Sequence, residues 1–195
     1  MHLDKTAIFS ICLAFGAVFA SRAGAAQNDP CSRTTARQTA RGMDGVKLVL
    51  VTDIKTVSLQ DSLVLDVALR NDGQEPIFVY ADIGWGYGAG LVIRLRNHEG
   101  QEIGPVFRDD RMLPPPPSND DPAIFTRLDR DNFFGTRRKL ALKDLVTTPG
   151  KYTLQIEYRS PLPCRFVDPK LQRLPALWHE DASIFSNQVA IEVLP

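Results

Sequence analysis

Apolar residues recur along this chain with a period of two, and that regularity confines it to strands with one greasy side and one wet side. Leu63, Leu65, Val67 and Leu69 alternate with Val64, Asp66, Ala68 and Arg70, and Tyr152, Leu154, Ile156 and Tyr158 alternate with Thr153, Gln155, Glu157 and Arg159. Val46, Leu48 and Leu50 keep the same step, as do Leu91, Ile93 and Leu95, and Val189, Ile191 and Val193. Ile77 to Asp82 is rich in β-branched and aromatic residues, and weaker runs lie at Glu102 to Phe107 and at Leu140 and Leu142. Asn71-Asp72-Gly73, Asn97 with Glu99-Gly100, and Pro149-Gly150 supply turns between them. Seven or eight strands of this kind pack as two antiparallel layers with their apolar sides together. The expected fold is therefore all-β, a single sandwich over residues 45–195, its core drawn from the odd-numbered set of 63 to 69 and the even-numbered set of 152 to 158.

Pro149-Gly150-Lys151-Tyr152-Thr153-Leu154-Gln155-Ile156-Glu157-Tyr158, followed by Ser186-Asn187-Gln188-Val189-Ala190-Ile191-Glu192-Val193, resembles the last two strands of bacterial secreted immunoglobulin-like domains. The resemblance implies an immunoglobulin-like antiparallel β-sandwich. It also implies that Tyr152 is a corner tyrosine whose hydroxyl bonds a nearby backbone group. The chain departs from the antibody pattern in its cysteines: none lies in Ser62 to Arg70, and Leu154 stands where the second would be. Such a family implies a fold and no chemistry.

Residues 1–26 read as a secretory signal peptide. Lys5 opens it, an apolar stretch runs from Ala7 to Ala20, and Ala23, Gly24, Ala25 and Ala26 provide for cleavage after Ala25 or Ala26. Residues 27–44 would then form an N-terminal extension, and the expected address is periplasmic or secreted, without stable membrane insertion after cleavage. A retained anchor is the alternative. It would need about 20 apolar residues, and Arg22 closes the stretch before that. Removing Asp4, Lys5 and Arg22 from 23 basic and 23 acidic residues leaves 21 and 22, so no field of one sign steers the whole chain toward nucleic acid. Cys31 and Cys164 are the cysteines left after cleavage, and an even count in an oxidising space points to one disulfide, whose loop-closure stabilisation would be ~3 to 5 kcal/mol. Two unbridged thiols are the other reading.

Two segments lack strand periodicity. Asp109 to Asp131 holds Pro114 through Pro117 and Ser118-Asn119-Asp120-Asp121-Pro122, and Ser160 to Ser183 holds Leu171, Leu174, Leu177 and Trp178 at the spacing of a short helical turn. Long irregular loops on a rigid frame are where binding surfaces are commonly built.

Chemistry-bearing residues are sparse. Gly84-Trp85-Gly86-Tyr87-Gly88-Ala89 matches a dinucleotide fingerprint by letter, but Leu91 to Arg96 continues as a strand where that fingerprint needs a helix. Its aromatics either lie flat on a sugar or partner, freed by the glycines, or pack at a core edge. His179-Glu180-Asp181 is a polar loop tip or a metal-ligand group, and Asp129, Asp131 and Asn132 form a solvated acidic loop or a calcium site. No cofactor is expected. Arg127, Arg130, Arg137, Arg138 and Lys139, with Phe133 and Phe134 among them, suit local ion pairs or an acidic envelope polymer or protein.

These readings combine into an exported, non-catalytic binding or accessory domain that contacts a protein or an envelope glycan, and no nucleic acid. Its expected contact loops are Gly84 to Gly90, Asp109 to Asp131 and Ser160 to Ser183, with Trp85, Tyr87 and Trp178 as anchors. The alternative is a small exported glycan hydrolase using carboxylates such as Asp109, Asp110, Asp120 or Asp121. A third reading has the C-terminal strand pair with another chain.

Overall fold

The period-two segments pair as strands in the computed structural model, which describes residue 31 and residues 45–85, 90–103, 122–178 and 183–195. Twelve strands are formed there: β1 (Val46–Val51), β2 (Thr56–Ser58), β3 (Ser62–Asn71), β4 (Ile77–Tyr80), β5 (Gly84–Trp85), β6 (Gly90–Asn97), β7 (Glu102–Ile103), β8 (Phe125–Leu128), β9 (Phe133–Ala141), β10 (Gly150–Tyr158), β11 (Ile184–Phe185) and β12 (Val189–Leu194). Eight of them have four residues or more; seven of these fall on expected runs and β8 does not, while the run expected at Glu102 to Phe107 shows β7 and then leaves the described residues.

One layer has the order β1-β3-β9 and the other β2-β12-β10-β6-β5, with β11 on β10 and β7 on β6. Neighbours run antiparallel except β2 beside β12 and β5 beside β6. In immunoglobulin lettering β1, β3 and β9 are A, B and E, while β6, β10 and β12 are C, F and G. The fold is thus an immunoglobulin-like β-sandwich. Its D position is altered, because β8 pairs with β4 in a separate two-stranded ribbon and leaves β9 as an edge among the described residues.

Leu63, Leu65, Val67 and Leu69 meet Leu154, Ile156 and Tyr158 in one apolar cluster, as their alternation predicts. Leu154 is fully buried at the place of the second antibody cysteine, so close packing joins the layers there. The corner forms as the resemblance implies: the Tyr152 hydroxyl donates to the Thr148 carbonyl at 2.7 Å. A second tie crosses the layers at Asn187, whose Oδ1 accepts from the Leu50 N–H and whose Nδ2 donates to the Leu50 carbonyl, each at 2.9 Å.

Two expectations change. Strand β9 has nine residues where the pattern shows only Leu140 and Leu142, because Thr136 and Arg138 occupy inward positions and break the apolar alternation. Gly135 lets β9 lie close to β3; a methyl group added there would sit 2.2 Å from the Val67 carbonyl oxygen. The Asp109 to Asp131 segment is also not wholly irregular, since it contains a 3-10 turn at Pro122–Ile124 and strand β8. Four residues are too short a run for periodicity to mark.

Beside the sandwich sits an annex with its own apolar cluster, in which Tyr80, Phe125, Leu162, Val167, Leu171 and Trp178 are buried together. It joins the β4–β8 ribbon to the segment after β10, which carries 3-10 turns at Cys164–Phe166 and Leu171–Arg173. Phe78 anchors that segment by accepting from Leu177 N–H and donating to the Pro175 carbonyl, both at 2.9 Å. The expected disulfide is present: Cys31 is bonded to Cys164 with their Cα atoms 5.7 Å apart, closing 133 positions of chain.

Candidate functional site

The antiparallel register of β6, β10 and β12 sends Tyr152, Leu154, Ile156 and Tyr158 inward and places Lys151, Thr153, Gln155 and Glu157 on the outer face. Arg96 lies across from Thr153, Arg94 from Gln155, and Glu192 from Lys151. This outer face carries an ordered set of polar and charged side chains.

Glu157 anchors it. Its side chain is only 1% exposed, and both arginines beside it commit to it: Arg94 donates from Nε at 2.8 Å and also from Nη2, and Arg159 donates from Nε. Burial alone pushes the Glu157 carboxyl up, but hydrogen bonds from Ser183, Arg94 and Arg159 outweigh it and hold the group below the ordinary glutamate range. Glu157 is therefore a fixed anion at neutral pH, not a group poised to exchange protons. Arg94 also holds Glu102 at 2.7 Å. That contact has a consequence next door, because Glu102 is the residue paired in register with Arg96, and turning it to Arg94 leaves Arg96 without an ion pair among the described residues.

Past Arg96 the sheet carries an open depression of about 580 Å³. Lys55, Arg96 and Lys151 line it with Thr56, Thr153 and Gln188, and Glu192 is the one acid in the lining. None of the three cations makes an ion pair among the described residues. The surface is open, with a floor of paired strands.

The residues expected to act as anchors are placed elsewhere. Trp85 is 5% exposed, at the edge strand β5, with the Arg138 guanidinium 5.9 Å from its ring centroid. Trp178 is 2% exposed and meets Phe125 edge to face at 5.4 Å. Neither ring is a surface anchor, because each fills the interior of its own cluster. Tyr87 lies outside the described residues, as do Asp109, Asp110, Asp120, Asp121 and His179 to Asp181. Arg137 and Arg138 do not form one basic patch. Alternation along β9 sends Arg137 outward, where it binds Asp66 at 2.6 and 2.8 Å, and Arg138 inward to Trp85. Asp129 and Asp131 bind arginines: Asp129 accepts from Arg127 at 2.9 Å and Asp131 from Arg70 at 3.5 Å. Among the described residues no group of three His, Cys, Asp or Glu side chains is placed to hold a metal. The C-terminal strand is no free edge, since β12 lies between β10 and β2.

No family model matches the chain, and no curated protein matches it. Solved structures similar to it include a β-glucosidase from Erythrobacter marinus, at 12% identity and TM-score 0.37 over 76% of this chain and 15% of the glucosidase. Another is the CARDB domain of a Pyrococcus furiosus protein in complex with di-metal ions, at 10% identity and TM-score 0.34 over 76% of this chain and 91% of that one. A third is AvmM, which catalyses macrocyclisation in alchivemycin A biosynthesis, at 10% identity and TM-score 0.39 over 78% of this chain and 90% of that one. The chain spans less than a sixth of the glucosidase. The fold assignment rests on the strand order and register given above.

Proposed function

We propose that this chain is an exported, non-catalytic binding domain that contacts a protein or an envelope glycan, and that the outer face of the β2-β12-β10-β6 sheet is the contact surface. The observation that carries this reading is the open depression in which Lys55, Arg96 and Lys151 stand, without ion pairs among the described residues, over the paired strands β2, β12, β10 and β6. A floor of this kind holds its backbone at fixed spacings, so little backbone entropy is lost on contact. Export is supported by the leader-like pattern of residues 1–26 and agrees with a disulfide between Cys31 and Cys164.

The test is retention of envelope-extract components by the full chain, compared with a Lys55→Glu, Arg96→Glu, Lys151→Glu variant. The reading expects a component kept by the parent and lost by the variant, at unchanged unfolding midpoint. Equal retention by both would contradict the surface, and release of reducing ends from envelope polysaccharide by the parent chain would contradict the non-catalytic role.

A further inference from the structure

We infer that the ligand of this sheet face is an acidic polysaccharide, lying across the strands from Arg96 to Lys55; this rests on the binding role proposed above. Charge comes first. Three cations face one carboxylate in the depression, Glu192, which lies across from Lys151, and two further acids of the same face are held by arginines, Glu157 by Arg94 and Arg159, Glu102 by Arg94. An anion arriving here thus meets a net positive charge.

Geometry comes second. Arg96 is on β6 and Lys55 directly precedes β2, with β10 and β12 between them. Three strand spacings separate them, about 14 Å. Lys151 on β10 lies between them across the sheet and two residues along from Thr153, the partner of Arg96, so the three cations are staggered over the face and can meet anionic groups carried at intervals along a polymer.

The uncharged lining separates a sugar chain from an acidic peptide. Thr56, Thr153 and Gln188 offer hydroxyl and amide groups, which pair with sugar hydroxyls. The backbone groups of β10 and β12 are spent inside the sheet, so an extended peptide gains no strand pairing on this face. Tyr152 and Ile191, the large apolar residues of the lining, are buried, so no apolar ring or chain stands out from this face to grip a peptide side chain.

Titration calorimetry of the full chain, leader removed, with polygalacturonate, a neutral galactan and poly-glutamate tests the inference. We expect polygalacturonate to bind, to weaken as salt rises, and to bind about tenfold more weakly to a Lys55→Gln, Arg96→Gln, Lys151→Gln variant of unchanged melting temperature. The galactan should not bind, and poly-glutamate should bind more weakly than polygalacturonate. Equal affinity for poly-glutamate would overturn the sugar assignment in favour of an acidic protein segment, and equal affinity of parent and variant for polygalacturonate would overturn the site. If no polyanion binds while envelope retention still depends on the three cations, this inference fails and the binding role stands; if that dependence is absent as well, both fail.

Discussion

The sandwich and the annex are both closed around apolar side chains, yet they are held by different means. In the sandwich, strands distant in sequence pair over long registers: β3 with β9 through nine residue pairs and β10 with β6 through seven. The annex has a single ribbon of four pairs, two 3-10 turns, the Phe125–Trp178 ring contact and one covalent bond from Cys31. Backbone polar groups in the first region are satisfied by regular ladders; those in the second are satisfied one at a time, as between Phe78 and the Pro175 to Leu177 segment. The difference teaches that the sandwich needs its core, while the annex needs its tether.

The largest effect that would sharpen this contrast is Leu154→Ala. A fully buried leucine between the layers should cost about 4 kcal/mol, read as a lower denaturant midpoint for the whole chain, and a loss under about 1 kcal/mol would break the claim that packing replaces the antibody cystine. Next is Cys31→Ser with Cys164→Ser, expected to cost about 3 kcal/mol. Hydrogen exchange should then accelerate in 162–178 while the β3 and β10 amides keep their order of protection; uniform acceleration would show that annex and sandwich are one unit. Tyr152→Phe follows, removing the hydroxyl bond to Thr148, with an expected loss of about 1 kcal/mol.

The smallest effect is a slope with pH. Because the folded Glu157 carboxyl lies below its ordinary value of 4.5, its contribution is complete above that value and is lost as pH falls through the lower folded value. Asp66, held down chiefly by its hydrogen bond from Arg137, and Asp72, held down chiefly by Lys47, act in the same direction. Glu157→Gln should flatten part of the acid limb of a stability profile, and an unchanged limb would count against a fixed anion at that position.

Alternation of apolar and polar residues makes β3 and β10 legible in the amino-acid sequence, and the Tyr152 corner is legible through the resemblance of Pro149 to Tyr158 to a strand of secreted immunoglobulin-like domains. The cystine follows from an even count of cysteines in residues 27–195 together with the expectation of an oxidising compartment. Strand β9 is hidden because Arg138 points inward and covers Trp85, a use of arginine that no hydrophobic pattern marks. The binding face is hidden for another reason. Lys55, Arg96 and Lys151 are far apart along the chain, and only register brings them to one surface; Arg96 loses its cross-strand acid because Glu102 turns to Arg94. Trp85 carries no periodic signal, and Trp178 ends a helical spacing that forms only the 3-10 turn Leu171–Arg173, so the burial of both depends on tertiary placement.

Contact through the sheet face, and not through the annex or its tryptophan, is most directly tested by chemical-shift mapping on the labelled chain from residue 27 titrated with polygalacturonate. The account predicts perturbations concentrated at Lys55, Thr56, Arg96, Lys151, Thr153 and Glu192. Perturbations confined to 162–178, with those six unmoved, would contradict it.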